Sequence, residues 1–496
     1  MSARVGGATA SGRQRNYIGG EWLAPATNEY RPNHNPADQR EVLGEFPRSG
    51  ADDALRAIEA AAAALPAWRT VSGPQRSALL EKAAGILERR AQEIGAALTR
   101  EEGKTLGEGV GETLRGVSIL RYYAGEPVRA LGEVYSGSNP ETFLYTERVP
   151  LGVVGIITPW NFPVAIPIWK LAPCLAYGNT AVFKPAELTP LTAQLIVEVF
   201  DEAGLPAGVL NLVQGPGAVV GETLARDPRV NAISFTGSNT VGRHLHSIAS
   251  ERGAKVQLEL GGKNPVVVAA DADLDQAVDL TISGAMRSSG QKCTATSRVI
   301  VVESLAPKFA EALTERARGL AVGPGMEPGS YLGPLVSAEA RQSVLNYIDI
   351  GQREGARLLT GGAAPSGEQY AHGHYVAPTV FDNVTPQMRI AQEEIFGPVV
   401  GIITAPDIDR AIEIANGVGY GLSASLVTRD IRTAFQFIRG IEAGVVHVNS
   451  ETAGAEPHVP FGGMKGSSSY SREQGRAAME FFTQTKTVYL DLPPAS

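Results

Sequence analysis

Gly152-Val-Val-Gly-Ile-Ile-Thr158, Thr180-Ala-Val-Phe-Lys184, Val209-Leu-Asn-Leu-Val213, Ala232-Ile-Ser-Phe235 and Val256-Gln-Leu-Glu-Leu260 are five short apolar runs, rich in β-branched residues. Helix-forming stretches separate them: Val164–Ala176, Leu191–Ala203, one after Gly217 and one after Asn239. Strands that are apolar throughout are buried on both faces, and strands joined through helices pair in parallel. The alternation therefore predicts a doubly wound parallel sheet of the α/β class. It resumes after Asn264, with Val266–Ala269, Ser297–Val302 and Val399–Ile403 as strands and Leu305–Ala321 as a helix, and ends near Val448. The chain reads as two α/β lobes in series, joined near Gly261-Gly262.

Upstream of the first run, Ala51–Ala67 and Gln75–Glu102 carry helix formers at helical spacing, so the first hundred residues are expected to be mostly helical. Leu131–Val149 switches to Val, Tyr and Thr around Ser136-Gly137-Ser138-Asn139-Pro140, a hairpin signal for a projecting ribbon that joins subunits. Met1–Asn16 has arginines but no apolar core and reads as a loose tail.

The 496 residues carry 44 Lys and Arg against 52 Asp and Glu, a formal charge of -8, with no basic stripe, which speaks against nucleic acid as a partner. The most apolar stretch, Val149–Trp160, is too short and too broken by Gly and Pro to span a bilayer, so no membrane role is expected. Two cysteines in a chain of this length do not form a disulfide framework and point to a reducing, cytoplasmic setting. His244 with His246, and His372 with His374, lack metal-ligand spacing, so no metal is expected.

Two strand-to-helix turns invite a dinucleotide. Gly215-Pro-Gly217-Ala-Val-Val-Gly221 resembles a phosphate turn with its last glycine one position late, and Phe235-Thr-Gly237-Ser238-Asn-Thr-Val-Gly242 adds a capping hydroxyl. Cys293 stands in the small, polar Gly290-Gln-Lys-Cys-Thr294 beside Lys292, whereas Cys174 stands in an apolar helix. Positive charge favours a thiolate and apolar burial opposes it, so Cys293 is the candidate nucleophile. Glu259 ends the fifth strand, where open α/β sheets bind ligands, between Leu258 and Leu260. Apolar flanks raise a carboxylate's pKa and make it a candidate general base.

These blocks together resemble the aldehyde dehydrogenase superfamily, from about Tyr17 to Leu490. The resemblance rests on Thr158-Pro-Trp-Asn-Phe-Pro163, Phe183-Lys-Pro-Ala-Glu187, Phe235-Thr-Gly-Ser238, Leu258-Glu-Leu-Gly-Gly-Lys263, Gly290-Gln-Lys-Cys293, Glu394-Ile-Phe-Gly-Pro398 and Pro460-Phe-Gly-Gly463. It implies a Rossmann-like dinucleotide-binding domain (14–130 with 149–261), a catalytic domain (262–462) and a small β oligomerisation ribbon (131–148 with 480–494) that makes a homodimer or homotetramer.

The resemblance also implies roles for individual residues. Cys293 attacks an aldehyde, Asn161 and the Cys293 N–H hold the oxyanion, Glu259 activates water, and Lys170 with Glu473 relays protons near that base. Lys184 and Glu187 would meet the adenosine ribose, Gly217 the adenine, and Gly237 and Ser238 the pyrophosphate. Glu394 would meet the nicotinamide ribose and Phe396 its packing wall, with Thr158, Pro159, Trp160 and Leu260 completing the dinucleotide contacts. The Glu187 carboxylate favours NAD, with NADP as the alternative.

Arg121-Tyr-Tyr-Ala-Gly-Glu126, Pro163–Lys170, Gln291–Thr296 and Ser467-Ser-Ser-Tyr-Ser-Arg-Glu473 further resemble the subgroup that oxidises 2-oxoglutarate semialdehyde (2,5-dioxopentanoate). The last segment departs from the superfamily's Ser-Gly-x-Gly-Arg-Glu. Arg287 matches a carboxylate-binding position of succinic semialdehyde dehydrogenases, while the second arginine of those enzymes corresponds to Trp169 here. Phe162, Trp169 and Phe461 would line an aromatic tunnel. Succinic semialdehyde or a broad range of aldehydes remain alternative substrates, and a structural protein that keeps the fold is the non-enzymatic alternative.

Overall fold

The computed structural model describes residues 12–129 and 131–491. Its first sheet has seven strands, ordered Lys255–Glu259, Val230–Thr236, Val153–Ile157, Thr180–Lys184, Leu210–Leu212, Asn16–Ile18 and Glu21–Leu23. The first five are parallel, as the apolar runs require. Side chains along Val153–Ile157 alternate between two apolar layers. Val154 and Ile156 face one and Val153 and Ile157 the other, so each strand is buried on both sides.

The second sheet also has seven strands: Arg357–Thr360, Thr379–Asp382, Val399–Ala405, Thr296–Val302, Asn264–Val268, Ser423–Val427 and Val445–Val448. All are parallel except Arg357–Thr360, which runs antiparallel at the edge. The two sheets meet at Leu260–Lys263, where Glu259 ends one sheet and Asn264 opens the other. A third, antiparallel sheet joins Val134–Tyr135, Thr142–Pro150 and Thr483–Asp491 in the ribbon region.

The N-terminal hundred residues depart from the mostly helical expectation. Asn16–Ile18 and Glu21–Leu23 close the edge of the first sheet, and Tyr30–Asn35 pairs with Asp38–Pro47. Residues 1–11 of the expected tail lie outside the described residues, but Asn16 is anchored: its buried amide donates to Ser49 Oγ at 2.7 Å and accepts from Gln214 N at 2.9 Å. Three-residue strands are too short for periodicity to register, and their position is fixed by such distant partners.

The expected helix Gln75–Glu102 is two, Gly73–Arg89 and Ala91–Glu102, broken at Arg90. The helix expected after Gly217 is a wide turn, Gly217–Gly221, followed by the five-residue Glu222–Arg226, so the first glycine turn does not open a helix able to hold an anion. Leu106–Ala124 is an unanticipated helix. Its start is written as a capping box, in which Thr105 Oγ1 accepts from Glu108 N and the Glu108 carboxylate accepts from Thr105 N. Among the described residues, no helix is long and apolar enough to cross a membrane.

Candidate active site

Thr158, Lys184, Thr236 and Glu259 stand at or just beyond the C-terminal ends of four parallel strands of the first sheet, the side on which doubly wound sheets bind ligands. Lys184 is buried, and desolvation lowers its ammonium to about 8. Glu187 accepts from Gly217 N at 3.3 Å and pairs with Arg31 at 3.5 Å, so Lys184, Glu187 and Gly217 form one corner. Gly237 N donates to the Glu259 carbonyl at 3.1 Å. Ser238 then caps the thirteen-residue helix Asn239–Glu251 without spending its hydroxyl on the helix, leaving first-turn N–H groups for an anion.

Further along the cleft, Glu394 Oε1 accepts from Gly262 N at 3.0 Å, and burial raises this carboxyl to about 7. Phe396, at φ 60°, stacks edge-on against Trp160 with ring centroids 5.4 Å apart. Leu260 is held by its N–H to the Ser467 carbonyl at 2.7 Å, and the Thr158 hydroxyl is buried without a partner. An uncommitted helix N-terminus, ribose-sized carboxylates at each end and aromatic walls fit a dinucleotide lying across these strand ends.

Cys293 keeps partial exposure while Cys174 is buried. Burial pushes the Cys293 thiol up to about 12, with Glu394 and Glu259 adding to the rise and the N–H groups of Thr294 and Cys293 itself opposing it. The expectation that Lys292 favours the thiolate fails. Its ammonium turns to the Ser283 carbonyl at 3.3 Å and is itself lowered by burial. The resting sulfur is a neutral thiol and needs a proton acceptor.

The loop before Cys293 is unusual: Ser288, Ser289 and Gly290 all have φ between 52° and 69°. Such a left-handed run persists only when its surroundings hold it. Glu108 accepts from Ser288 N at 2.8 Å, and Ser289 Oγ donates to the Gly333 carbonyl at 2.7 Å. Asn264 Nδ2 donates to the carbonyls of Cys293 and Ala295 at 2.8 and 3.0 Å, fixing the far side.

Asn161 is buried, and its amide donates one bond to the Gln291 carbonyl at 3.0 Å; a side-chain amide has two hydrogens, so one stays available. Its backbone carbonyl accepts from Lys104 Nζ at 2.8 Å, and Lys104 also pairs with Glu112 at 2.7 Å and lies 4.2 Å above the Phe162 ring. Glu112 in turn accepts from Val164 N and Ala165 N, capping the helix Ala165–Ala176.

Glu259 is buried and faces Glu473. Burial first, and Glu473 second, hold its carboxyl well above the ordinary range, against Ser468, Lys170 and Arg472. Lys170 makes an ion pair with Glu473 and donates to Ser234 Oγ at 2.9 Å, so the two relay candidates meet beside the base.

A cavity of about 370 Å³ is lined by Cys293, Phe162, Trp169, Phe461, Arg287 and Arg115. Trp169 and Phe461 stack at 5.6 Å, forming the expected aromatic wall. Among the described residues Arg287 has no carboxylate within salt-bridge distance, and Arg115 has only a loose contact with exposed Glu456 at 3.7 Å. The sequence reading missed Arg115, Lys104, Glu108 and Glu112, all on or next to one helix; the Thr105–Glu108 capping box was the signal for it.

The profile of the aldehyde dehydrogenase family matches residues 22–488. The chain belongs to the aldehyde dehydrogenase family. This aldehyde dehydrogenase is 52% identical over 475 residues to the alpha-ketoglutaric semialdehyde dehydrogenase of Bacillus subtilis, covering 96% of this chain and 97% of that protein. It is 47% identical to the alpha-ketoglutarate semialdehyde dehydrogenase of Haloferax volcanii, over 96% and 98% of the two chains. Among solved structures, betaine aldehyde dehydrogenase from Staphylococcus aureus in complex with NAD+ superposes with a TM-score of 0.95 at 34% identity, covering 97% of this chain and 95% of that one.

Proposed function

We propose that this aldehyde dehydrogenase oxidises 2-oxoglutarate semialdehyde to 2-oxoglutarate with NAD. The observation that carries the reading is the cavity that Cys293 shares with Arg287 and Arg115. A short chain with an aldehyde at one end and a carboxylate at the other needs a nucleophile and a cation in one pocket. Arg115 supplies the second cation that Trp169 does not. The relatives from Bacillus subtilis and Haloferax volcanii support the same substrate.

In this reading Glu259 takes the Cys293 proton, directly or through water, and the sulfur attacks the aldehyde carbon. In the same reading the Asn161 amide hydrogen not used by Gln291 and the Cys293 N–H hold the oxyanion of the thiohemiacetal as charge develops. A bound nicotinamide supplies the two-electron acceptor for the hydride. Loss of that hydride leaves a thioester on Cys293. Once that first proton has left Glu259, the carboxylate takes a second from water as its oxygen attacks the thioester, the acid forms, and the sulfur departs as a thiolate that regains a proton. Lys170 and Glu473 carry the proton away from the base. The Glu187 carboxylate repels a 2′-phosphate, which favours NAD over NADP. Arg31, 3.5 Å from Glu187, is the group through which NADP would gain a foothold.

The ribbon pairs Thr483–Asp491 with Thr142–Pro150 and leaves Val134, Tyr135, Phe143, Tyr489 and Leu490 exposed, which supports a homodimer or homotetramer. A chemistry that needs a free thiol goes with a reducing, cytoplasmic setting. Steady-state rates with 2-oxoglutarate semialdehyde, succinic semialdehyde and pentanal, each with NAD and NADP, test the reading. The highest kcat/KM is expected for 2-oxoglutarate semialdehyde with NAD, and equal kcat/KM for pentanal would overturn the substrate.

A further inference from the structure

The segment Ser467-Ser-Ser-Tyr-Ser-Arg-Glu473 departs from the family pattern, and its serines lie along the strand that ends at Glu259. Ser468 stands opposite Glu259 in an antiparallel bridge. Leu260 N donates to the Ser467 carbonyl at 2.7 Å, Ser469 N donates to the Leu258 carbonyl at 2.9 Å, and Leu258 N donates to Ser469 Oγ at 2.9 Å. Backbone bonds on both sides of Ser468 therefore fix where its side chain starts.

The direction of the Ser468 hydroxyl follows from its two contacts. Gly463 N donates to Ser468 Oγ at 2.6 Å, so the oxygen is already an acceptor there, and Oγ lies 2.5 Å from Glu259 Oε2. In the ionised form that acts as base, the carboxylate can only accept, so the hydroxyl proton then points to Oε2. Glu259 Oε1 is buried and has no hydrogen-bond partner among the described residues. We propose that Ser468 is a positioning residue that holds one oxygen of Glu259 and leaves the other bare for proton transfer. The inference rests on Glu259 being the base of thioester hydrolysis.

The other groups facing Glu259 are ionic and committed: Glu473 to Lys170, Lys170 to Glu473 and Ser234, and Arg472 to the Ser469 carbonyl at 3.4 Å. Cys293 is near enough for the Glu259 charge to raise its thiol. Ser468 is the neutral donor among them. It favours the carboxylate form without adding charge beside the sulfur. Removing its hydroxyl raises the pKa of Glu259, so the acidic limb of the kcat profile moves to higher pH, by about one unit for a bond to a charged group.

The test compares Ser468→Thr with Ser468→Val, which match in volume and differ by the hydroxyl. Ser468 is partly exposed, which leaves room for the added methyl. The Thr variant is expected to keep the parent acidic limb. The Val variant is expected to shift it upward and to slow deacylation about tenfold, so that a burst of reduced dinucleotide precedes the steady state. Indistinguishable limbs in the two variants would overturn the proposal. Glu259→Gln separates the two ideas. If it keeps the limb, the reading of Glu259 as base fails; if it loses the limb while Thr and Val match, only the role of Ser468 fails.

Discussion

Cys293 pairs a high thiol pKa with access to the cavity, and this combination has a measurable consequence. An ordinary thiol ionises near 8.5, so its alkylation rate levels off about there. A thiol held near 12 gains thiolate with every step in pH below that value. The iodoacetamide rate constant for Cys293, in protein without dinucleotide, is therefore expected to keep climbing beyond pH 9, while buried Cys174 stays unmodified by mass spectrometry. At Asn161, substitution by Ala removes one donor to the developing oxyanion, and kcat is expected to fall about 100- to 1000-fold in steady-state assays. Cys293 was legible in sequence because its neighbours Gly290–Thr294 are small, polar and unlike a core, whereas Asn161, between Trp160 and Phe162, was legible only through the family resemblance. Lys104 and Glu112 were not, since a buried ion pair is visible only once the helix that brings Glu112 inward is known.

The helix Leu106–Ala124 and the left-handed loop Ser288–Gly290 hold the site from opposite sides. Lys104, at the foot of that helix, ties Glu112 to the backbone of Asn161 and to the Phe162 ring, and Lys104, Glu112 and Asn161 are all buried. Breaking a buried pair leaves an uncompensated charge, so Lys104→Met is expected to destabilise the protein by about 3–5 kcal/mol in urea unfolding. Gly290 carries φ 69°, and a Cβ there would sit 2.2 Å from the Gly397 carbonyl oxygen. Gly290→Ala is expected to abolish turnover, with far-ultraviolet circular dichroism retained, because the loop that delivers Cys293 must move.

The parallel strands were readable at this scale because their apolar runs are short, rich in β-branched residues and bounded by turns. The strands Asn16–Ile18 and Glu21–Leu23 were not, because their place depends on Ser49 and Gln214, distant in sequence. The capping box at Thr105 marks the start of a helix, but not that the helix turns Glu108, Glu112 and Arg115 toward one cavity.

At the scale of the molecule, residues from both sheets' parts of the chain come together around Cys293: Glu259 ends a strand of the first sheet, Glu394 precedes a strand of the second, and both carboxylates act on the Cys293 thiol. Leu260–Lys263 is the crossing between the two sheets. The ribbon is a separate sheet, with Thr483–Asp491 added along Thr142–Pro150. Truncation after Phe482 strips nine register partners from that strand and bares its edge. The shortened chain is expected to lose its defined assembly, read as a smaller or polydisperse mass in light scattering.

The other closed margin is the one built by Asn16–Ile18 and Glu21–Leu23, where three-residue strands reverse direction and end the first sheet. A margin this brief, with Glu21 exposed at its rim, is a poor template for a foreign strand, whereas the Leu210–Leu212 strand beneath it is equally short but buried, with leucine at both ends. Trimming the N-terminus back past Leu23, as one does when tailoring a recombinant protein for expression, would thus uncover a sticky seam and trade solubility for convenience.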